Sequence, residues 1–191
     1  IIGHGIAPSH GLNKGEVVDV PKTRASIRKA ILEAENNANQ NVESAYIGIT
    51  GEHISGLNYS GFAMIENTDS EIEDSDISRV KENTEISINI PAERKILHIL
   101  NQEYRLDERT NIQNPKGLYG KRLELKAHIV TILRDAEKNL INCIGNNIDI
   151  CSFVLEPLAS AYAVLSNQER ELGTVLIDVG GGTTDIIIYK N

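Results

Sequence analysis

The run Thr174–Tyr189, TVLIDVGGGTTDIIIY, constrains the fold of this chain more than any other stretch. Two β-branched segments, Thr174–Val179 and Ile186–Tyr189, flank Gly180, Gly181, Gly182, Thr183 and Thr184, which predicts a hairpin with a Gly-rich turn. Three consecutive glycines cost backbone entropy, and a tight turn alone is usually made with one Asn-Gly or Asp-Gly pair. Something therefore needs the bare backbone. With no Cβ atoms in the way, successive N–H groups can converge on an anion as a concave nest, and the hydroxyls of Thr183 and Thr184 add donors at its rim. A phosphate chain suits such a nest. Asp178 ends the first strand and Asp185 begins the second, and carboxylates beside phosphate repel it unless a Mg²⁺ bridges them. On this reading Gly180, Gly181, Gly182, Thr183, Thr184 and Asp185 cradle the phosphates, and Asp178 faces a metal-nucleotide directly or through metal-bound water. A Gly-rich hairpin carrying two solvated acids is the competing reading of the same residues.

The pattern D-x-G-G-G-T-x-D resembles the second phosphate loop of the actin, Hsp70 and sugar-kinase superfamily. No G-x-x-x-x-G-K-[ST] occurs in the chain, so a Walker A loop is excluded.

At 191 residues the chain can build one large or two small domains around a real core. Its net charge of −8 argues against nucleic acid as a partner, because binding a phosphate backbone rewards a basic face. Cys143 and Cys151 belong to no C-x-x-C or Cys/His cluster, so neither a zinc site nor a disulfide framework is supported. Both are expected to be buried small hydrophobes in a reducing, cytoplasmic setting. No run approaches the roughly 18 apolar residues of a membrane helix, and the N-terminus lacks the basic and apolar regions of a signal peptide. The chain starts at Ile1 inside a strand-like run and stops just after a hairpin, which reads as a piece of a longer protein.

Taken in order, Ile1–Ala7 reads as a short strand, followed by a loop with Pro8, Gly11, Asn13 and Gly15 and an apolar stretch at Val17–Val20. The string GHGIAP at Gly3–Pro8 lacks the third glycine and the following helix of a dinucleotide fingerprint. Lys22–Ala38 has Ile27, Ile31, Ala34 and Ala38 on one helical face and predicts a helix covering a sheet. Ala45–Thr50 reads as a buried strand. Ser55–Ile65 is a Gly/Ser/Asn-interrupted strand region, and Asn67–Asp76 an acidic loop ending in a helix cap at Asp74 or Ser75. A helix from Ile77 to about Ile88 and two extended segments, Ile96–Leu106 and Arg122–Thr131, complete a small α+β module. In the second segment Leu123, Leu125, Ala127 and Ile129 alternate with Glu124, Lys126 and His128, the period of a half-buried strand. His98 and His128 are isolated imidazoles and read as surface or packing residues. Ile132–Ile144 predicts a helix stopped at Gly145, Ile148–Leu155 a strand, Pro157 to about Ser166 a helix, and Asn167–Gly173 a loop. Glu156 sits where a strand ends and a helix opens, a place where ligands bind in open α/β sheets. Two readings stand: a carboxylate orienting water or a hydrated metal, or an acid interacting with the helix dipole.

Across the whole chain the strings IIGHGIAPSHGLNKGEVVD, SAYIGITGEHI, LHILNQEYRLDE, NPKGLYGKRLELKAHIVT, VLEPLASAYAVL and ELGTVLIDVGGGTTDI resemble the bacterial FtsA family of actin-like ATP-binding division proteins. NQEY and GLYGKRLE separate that family from Hsp70 and from the rod-shape protein MreB. The resemblance implies an α/β, actin-like (ribonuclease H-like) ATPase fold, present in part, with an inserted small α+β module of SHS2 type. It implies that 1–51 and 132–172 form subdomain 1A, 52–131 the inserted subdomain 1C, and 173–191 the start of subdomain 2A. In family terms Asp178–Asp185 looks like the second phosphate loop, and Glu156 like the first connecting-motif acid near the attacking water. ATP and Mg²⁺ are the implied cofactors, with Asp178 and Glu156 positioning water or metal and any hydrolysis slow. The implied partners are further copies in a filament, the tubulin-like FtsZ, and later division proteins through 1C. The implied location is the cytoplasmic face of the inner membrane at the septum, reached through a C-terminal amphipathic helix. The first phosphate loop, most of 2A, the FtsZ-binding 2B subdomain, the adenosine motif and that helix are expected to lie outside these residues. By itself the chain is therefore expected to bind ATP very weakly or not at all. Two other classes share the superfamily fold, a sugar-kinase-type phosphotransferase and an Hsp70-like chaperone. The first needs a substrate base, for which Glu156 is the one candidate, the second a downstream substrate domain, and the insert at 52–131 favours the FtsA reading over both.

Overall fold

The computed structural model describes residues 1–67 and 69–190. In chain order its elements are β1 (Leu12–Asn13), β2 (Glu16–Val17), α1 (Val20–Ala38), β3 (Ser44–Ile49), β4 (Ile54–Met64), α2 (Asp74–Ser87), β5 (Arg94–Leu106), β6 (Arg109–Ile112) and β7 (Arg122–Leu133). There follow α3 (Arg134–Ile144), β8 (Asp149–Leu155), α4 (Glu156–Val164), α5 (Asn167–Leu172), β9 (Thr174–Val179) and β10 (Thr184–Tyr189). They fall into two compact units, one of Ile1–Ile54 with Leu133–Asn191, the other of Ser55–Ile132.

In the first unit β3 and β8 pair in parallel, with Ile49 opposite Leu155, so the C-terminal ends of both strands lie side by side. Asp19 caps α1 by accepting the Lys22 N–H at 3.0 Å, and Asn39 ends the helix in the left-handed conformation. Residues 1–10 form no strand, contrary to the reading of Ile1–Ala7. Their backbone partners come from α1 instead: the Ile6 N–H donates to Glu33 Oε2 at 3.1 Å, and Asn37 Nδ2 donates to the His4 carbonyl at 2.7 Å. Glycine permits that approach, because a Cβ on Gly5 would fall 1.9 Å from the Ala30 carbonyl oxygen. The expected loop at Asn167–Gly173 contains α5, which Ser166 and Glu169 start with a capping box: Glu169 accepts the Ser166 N–H at 2.8 Å and the Ser166 hydroxyl accepts the Glu169 N–H at 3.3 Å. Cys143 is buried as expected, whereas Cys151 is exposed on β8, where the strand carries Phe153 as its buried residue.

The second unit is a four-stranded sheet in the order β4-β7-β5-β6, with α2 packed on it. Its core follows from the alternation of β7: Leu123, Leu125, Ala127 and Ile129 are fully buried and meet Val80 of α2, Ala63 of β4, and Tyr104 and Leu106 of β5. The outward residues form charge pairs, Glu103 with Arg105 at 3.3 Å and Lys126 at 3.5 Å, and Arg122 with Glu124 at 3.5 Å, while Arg122 also lies over the Phe62 ring. Helix α2 is capped one residue earlier than the sequence indicated, at Glu73, whose N–H donates to Asp76 Oδ2 at 3.0 Å. The polar segment after Leu106 turns back at Asp107, which has φ 55°, and adds β6 as an antiparallel edge to β5. His128 bonds Asn58 Oδ1 through Nδ1 at 2.7 Å, and His98 is partly buried, which pushes its pKa down by desolvation.

Candidate functional site

Strands β9 and β10 pair antiparallel with Thr184 opposite Val179, Asp185 opposite Asp178, and so on to Tyr189 opposite Thr174. The register sets the two aspartates side by side at the mouth of the turn. There the Gly180 N–H donates to the Thr183 carbonyl at 3.0 Å. Gly180, Gly181 and Gly182 are exposed, and none of them takes the left-handed backbone region that favours glycine. Their N–H groups therefore belong to a plain turn and not to an alternating αR–αL nest. A Cβ on Gly181 or Gly182 would meet nothing within 4 Å, and one on Gly180 would meet the Thr183 carbonyl oxygen at 3.2 Å. Neither backbone conformation nor packing within the chain explains glycine at 181 and 182.

Glu156 opens α4 directly after β8, with Pro157 in the first turn. Across the parallel pair, Gly48 of β3 makes room for it: a Cβ there would lie 3.2 Å from Glu156 Cγ and 3.3 Å from Oε1. Burial pushes the Glu156 carboxyl above its ordinary range, and the charges of Asp185 and then Asp178 push it further in the same direction. The residue is exposed along much of its surface, yet its carboxyl looks onto two other acids. The structure thus brings Glu156, Asp178 and Asp185 together from α4, β9 and β10. Thr183 joins them at the long limit of a hydrogen bond, its hydroxyl 3.4 Å from Asp185 Oδ2, while Thr184 is exposed opposite Val179.

Two hydroxyls hold the aspartates. Thr50, one residue beyond β3, donates through Oγ1 to Asp185 Oδ1 at 2.8 Å, and Ser160 of α4 donates through Oγ to Asp178 Oδ2 at 2.7 Å. Sequence reasoning named neither. Thr50 lies 135 positions from its partner, so no local pattern joins them. Ser160 carried a weak signal, since it stands four residues after Glu156 and shares its helix face. Among the described residues no Lys or Arg pairs with any of the three acids, and no three His, Cys, Asp or Glu groups are grouped to hold a metal ion by themselves. A cation at this place would take further ligands from phosphate and water, the habit of Mg²⁺. A separate groove of about 710 Å³, lined by α1 and α3 residues such as Ile27, Ile31 and Ile141, contains none of these groups. No helix among the described residues is long and apolar enough to cross a membrane.

A solved chain of a PilM-PilN type IV pilus biogenesis complex matches this structure with a TM-score of 0.61 at 14% identity, over 95% of this chain and 48% of that one. The fold is the mixed α/β fold of actin-like ATPases, present in part. Residues 51–131 match the family described as the SHS2 domain inserted in FTSA. The chain is 42% identical over 190 residues to the cell division protein FtsA of Pseudomonas aeruginosa, covering 99% of this chain and 45% of that protein. It is 40% identical to that of Neisseria meningitidis, over 100% of this chain and 46% of the relative, and 36% identical to that of Escherichia coli K12, over 99% and 44%. The chain belongs to the FtsA family. It spans about half the length of the relatives it matches.

Proposed function

We propose that this chain is part of an actin-like cell-division protein that binds ATP with Mg²⁺, and that the β9–β10 hairpin is one wall of its nucleotide site. The observation that carries the reading is glycine at 181 and 182, where a Cβ would meet only open space. A residue that neither strain nor packing within these residues requires, in a turn between two aspartates, fits a partner that must come up against the backbone itself. Gly180, Gly181, Gly182, Thr183 and Thr184 would supply N–H and hydroxyl donors to phosphate oxygens. Asp178 would hold Mg²⁺ through water, with Asp185 beside it. A bound Mg²⁺ would screen the phosphates from three acids that have no Lys or Arg partner among the described residues. Glu156 would orient the water nearest the terminal phosphate, and a carboxyl pushed up by burial is suited to holding a proton there.

On this reading 1–51 and 132–172 are subdomain 1A, 52–131 subdomain 1C, and 173–191 the start of 2A. Nucleotide state biases filament formation, and hydrolysis is slow. The full protein links FtsZ to the cytoplasmic face of the membrane at the septum and recruits later division proteins through 1C. Support comes from the match of 51–131 to the inserted SHS2 family and from relatives named for cell division along the whole chain. The test is calorimetric Mg-ATP binding by the full-length protein. Asp178→Ala, with circular dichroism unchanged, is expected to lose at least about tenfold in affinity, the scale of one charge-assisted contact. Wild-type affinity in that folded variant would contradict the placement of the metal-nucleotide.

A further inference from the structure

We propose that Thr50 and Ser160 are positioning residues of this site: their hydroxyls fix the Asp185 and Asp178 carboxylates in one rotamer each without neutralising them. The proposal rests on the nucleotide reading of the hairpin. Both bonds are charge-assisted, at 2.8 and 2.7 Å, and they come from different elements. Thr50 reaches the hairpin from the C-terminal end of β3, beside Glu156 at the end of the parallel strand β8. Ser160 reaches it from α4, one helical turn after Glu156. Helix α4 therefore presents a carboxyl and a hydroxyl on one face to the same pair of aspartates, and β3 presents the second hydroxyl.

The kind of partner matters as much as the geometry. A Lys or Arg at either place would orient an aspartate equally well, but its charge would cancel the attraction for a cation and compete with it for the oxygens. A hydroxyl orients and leaves the negative charge in place. Each aspartate also keeps an oxygen outside the positioning bond: Asp178 Oδ1, and Asp185 Oδ2 with only the 3.4 Å contact from Thr183. Ordered acids without cationic partners among the described residues are a poor arrangement for stability and a good one for capturing hydrated Mg²⁺ between carboxylate and phosphate.

The experiment titrates Mg²⁺ into the full-length protein with ATP fixed, and reads the Mg²⁺ concentration at half-maximal nucleotide binding. Thr50→Val and Ser160→Ala are each expected to raise that concentration about tenfold, as for loss of a hydrogen bond to a charged group. Thr50→Ser and Ser160→Thr, which keep the hydroxyl, are expected to stay within about twofold of wild type. Asp178→Ala is measured alongside. If Thr50→Val and Ser160→Ala titrate like wild type while Asp178→Ala loses binding, the hydroxyls do not position the site and the proposal falls with the nucleotide reading intact. If Asp178→Ala also binds normally, that reading itself fails. Equal losses in Thr50→Ser and Thr50→Val would assign the effect to packing and overturn the role of Thr50. Should Thr50→Val not fold, the Ser160 pair decides alone.

Discussion

Glu156 keeps company with two acids and, among the described residues, no base, and the consequence is a pH dependence with a definite sign. Burial first, then Asp185 and Asp178, raise its folded-state pKa. A proton held more tightly in the folded than in the unfolded chain contributes stability that is fully present below the unfolded carboxyl pKa of about 4.3, and is lost as pH rises through the folded value. Replacing the carboxyl by an amide removes that loss. Glu156→Gln is therefore expected to melt at a higher temperature than wild type at neutral pH, with the gap closing towards about pH 4. Thermal melts of both proteins across that range check it, and a gap independent of pH would show that the neighbouring charges do not act on Glu156. The residues of this site were unequally legible. Asp178, Asp185 and the glycines stand in one short motif, and Glu156 stands at a strand–helix junction. Thr50 and Ser160 act through tertiary contacts, and Gly48 through the space it leaves for Glu156; a local pattern encodes none of these.

Among the elements, those with a long and regular period were readable in advance. Strand β7 alternates buried and outward residues, and α1 and α3 carry apolar positions at helical spacing. Short elements were not: α5 depends on a capping box in six residues, and β6 on a left-handed Asp107 that turns a polar segment back onto β5. The stretch 1–10 misled because apolar residues beside glycines read as a strand, while the glycines serve to bring the backbone against α1. The same use of glycine gives an element-scale prediction in the second unit. A Cβ on Gly61 would lie 2.3 Å from Thr84 Oγ1 and 2.6 Å from Thr84 Cα, backbone that cannot rotate away. Gly61→Ala must push α2 from β4 and loosen the contact of Val80 with the β7 core. A loss of about 1–3 kcal/mol in urea unfolding is expected, as for overpacking of a filled core. An unchanged unfolding midpoint would mean that α2 does not lie against β4 as described.

At the scale of the molecule, a change of character near Gly51 and a return near Ile132 predict a small α+β module inserted into an α/β domain. The structure divides the chain at Ile54/Ser55 and Ile132/Leu133, and the inserted family matches 51–131. Strand–helix alternation could not by itself say which α/β fold the first unit has; the phosphate-loop pattern and the whole-chain resemblance supplied that. The central claim is that the glycines between Asp178 and Asp185 exist for a ligand and not for the fold. It is tested most directly by Gly181→Ala in the full-length protein, measuring thermal stability and Mg-ATP affinity on the same preparation. Among the described residues the added methyl meets open space and strains no left-handed backbone, so the melting temperature is expected to equal that of wild type or rise slightly, while affinity falls about tenfold or more. Wild-type affinity at unchanged stability would contradict the claim, because a glycine that the fold does not require would then not be required by the nucleotide either.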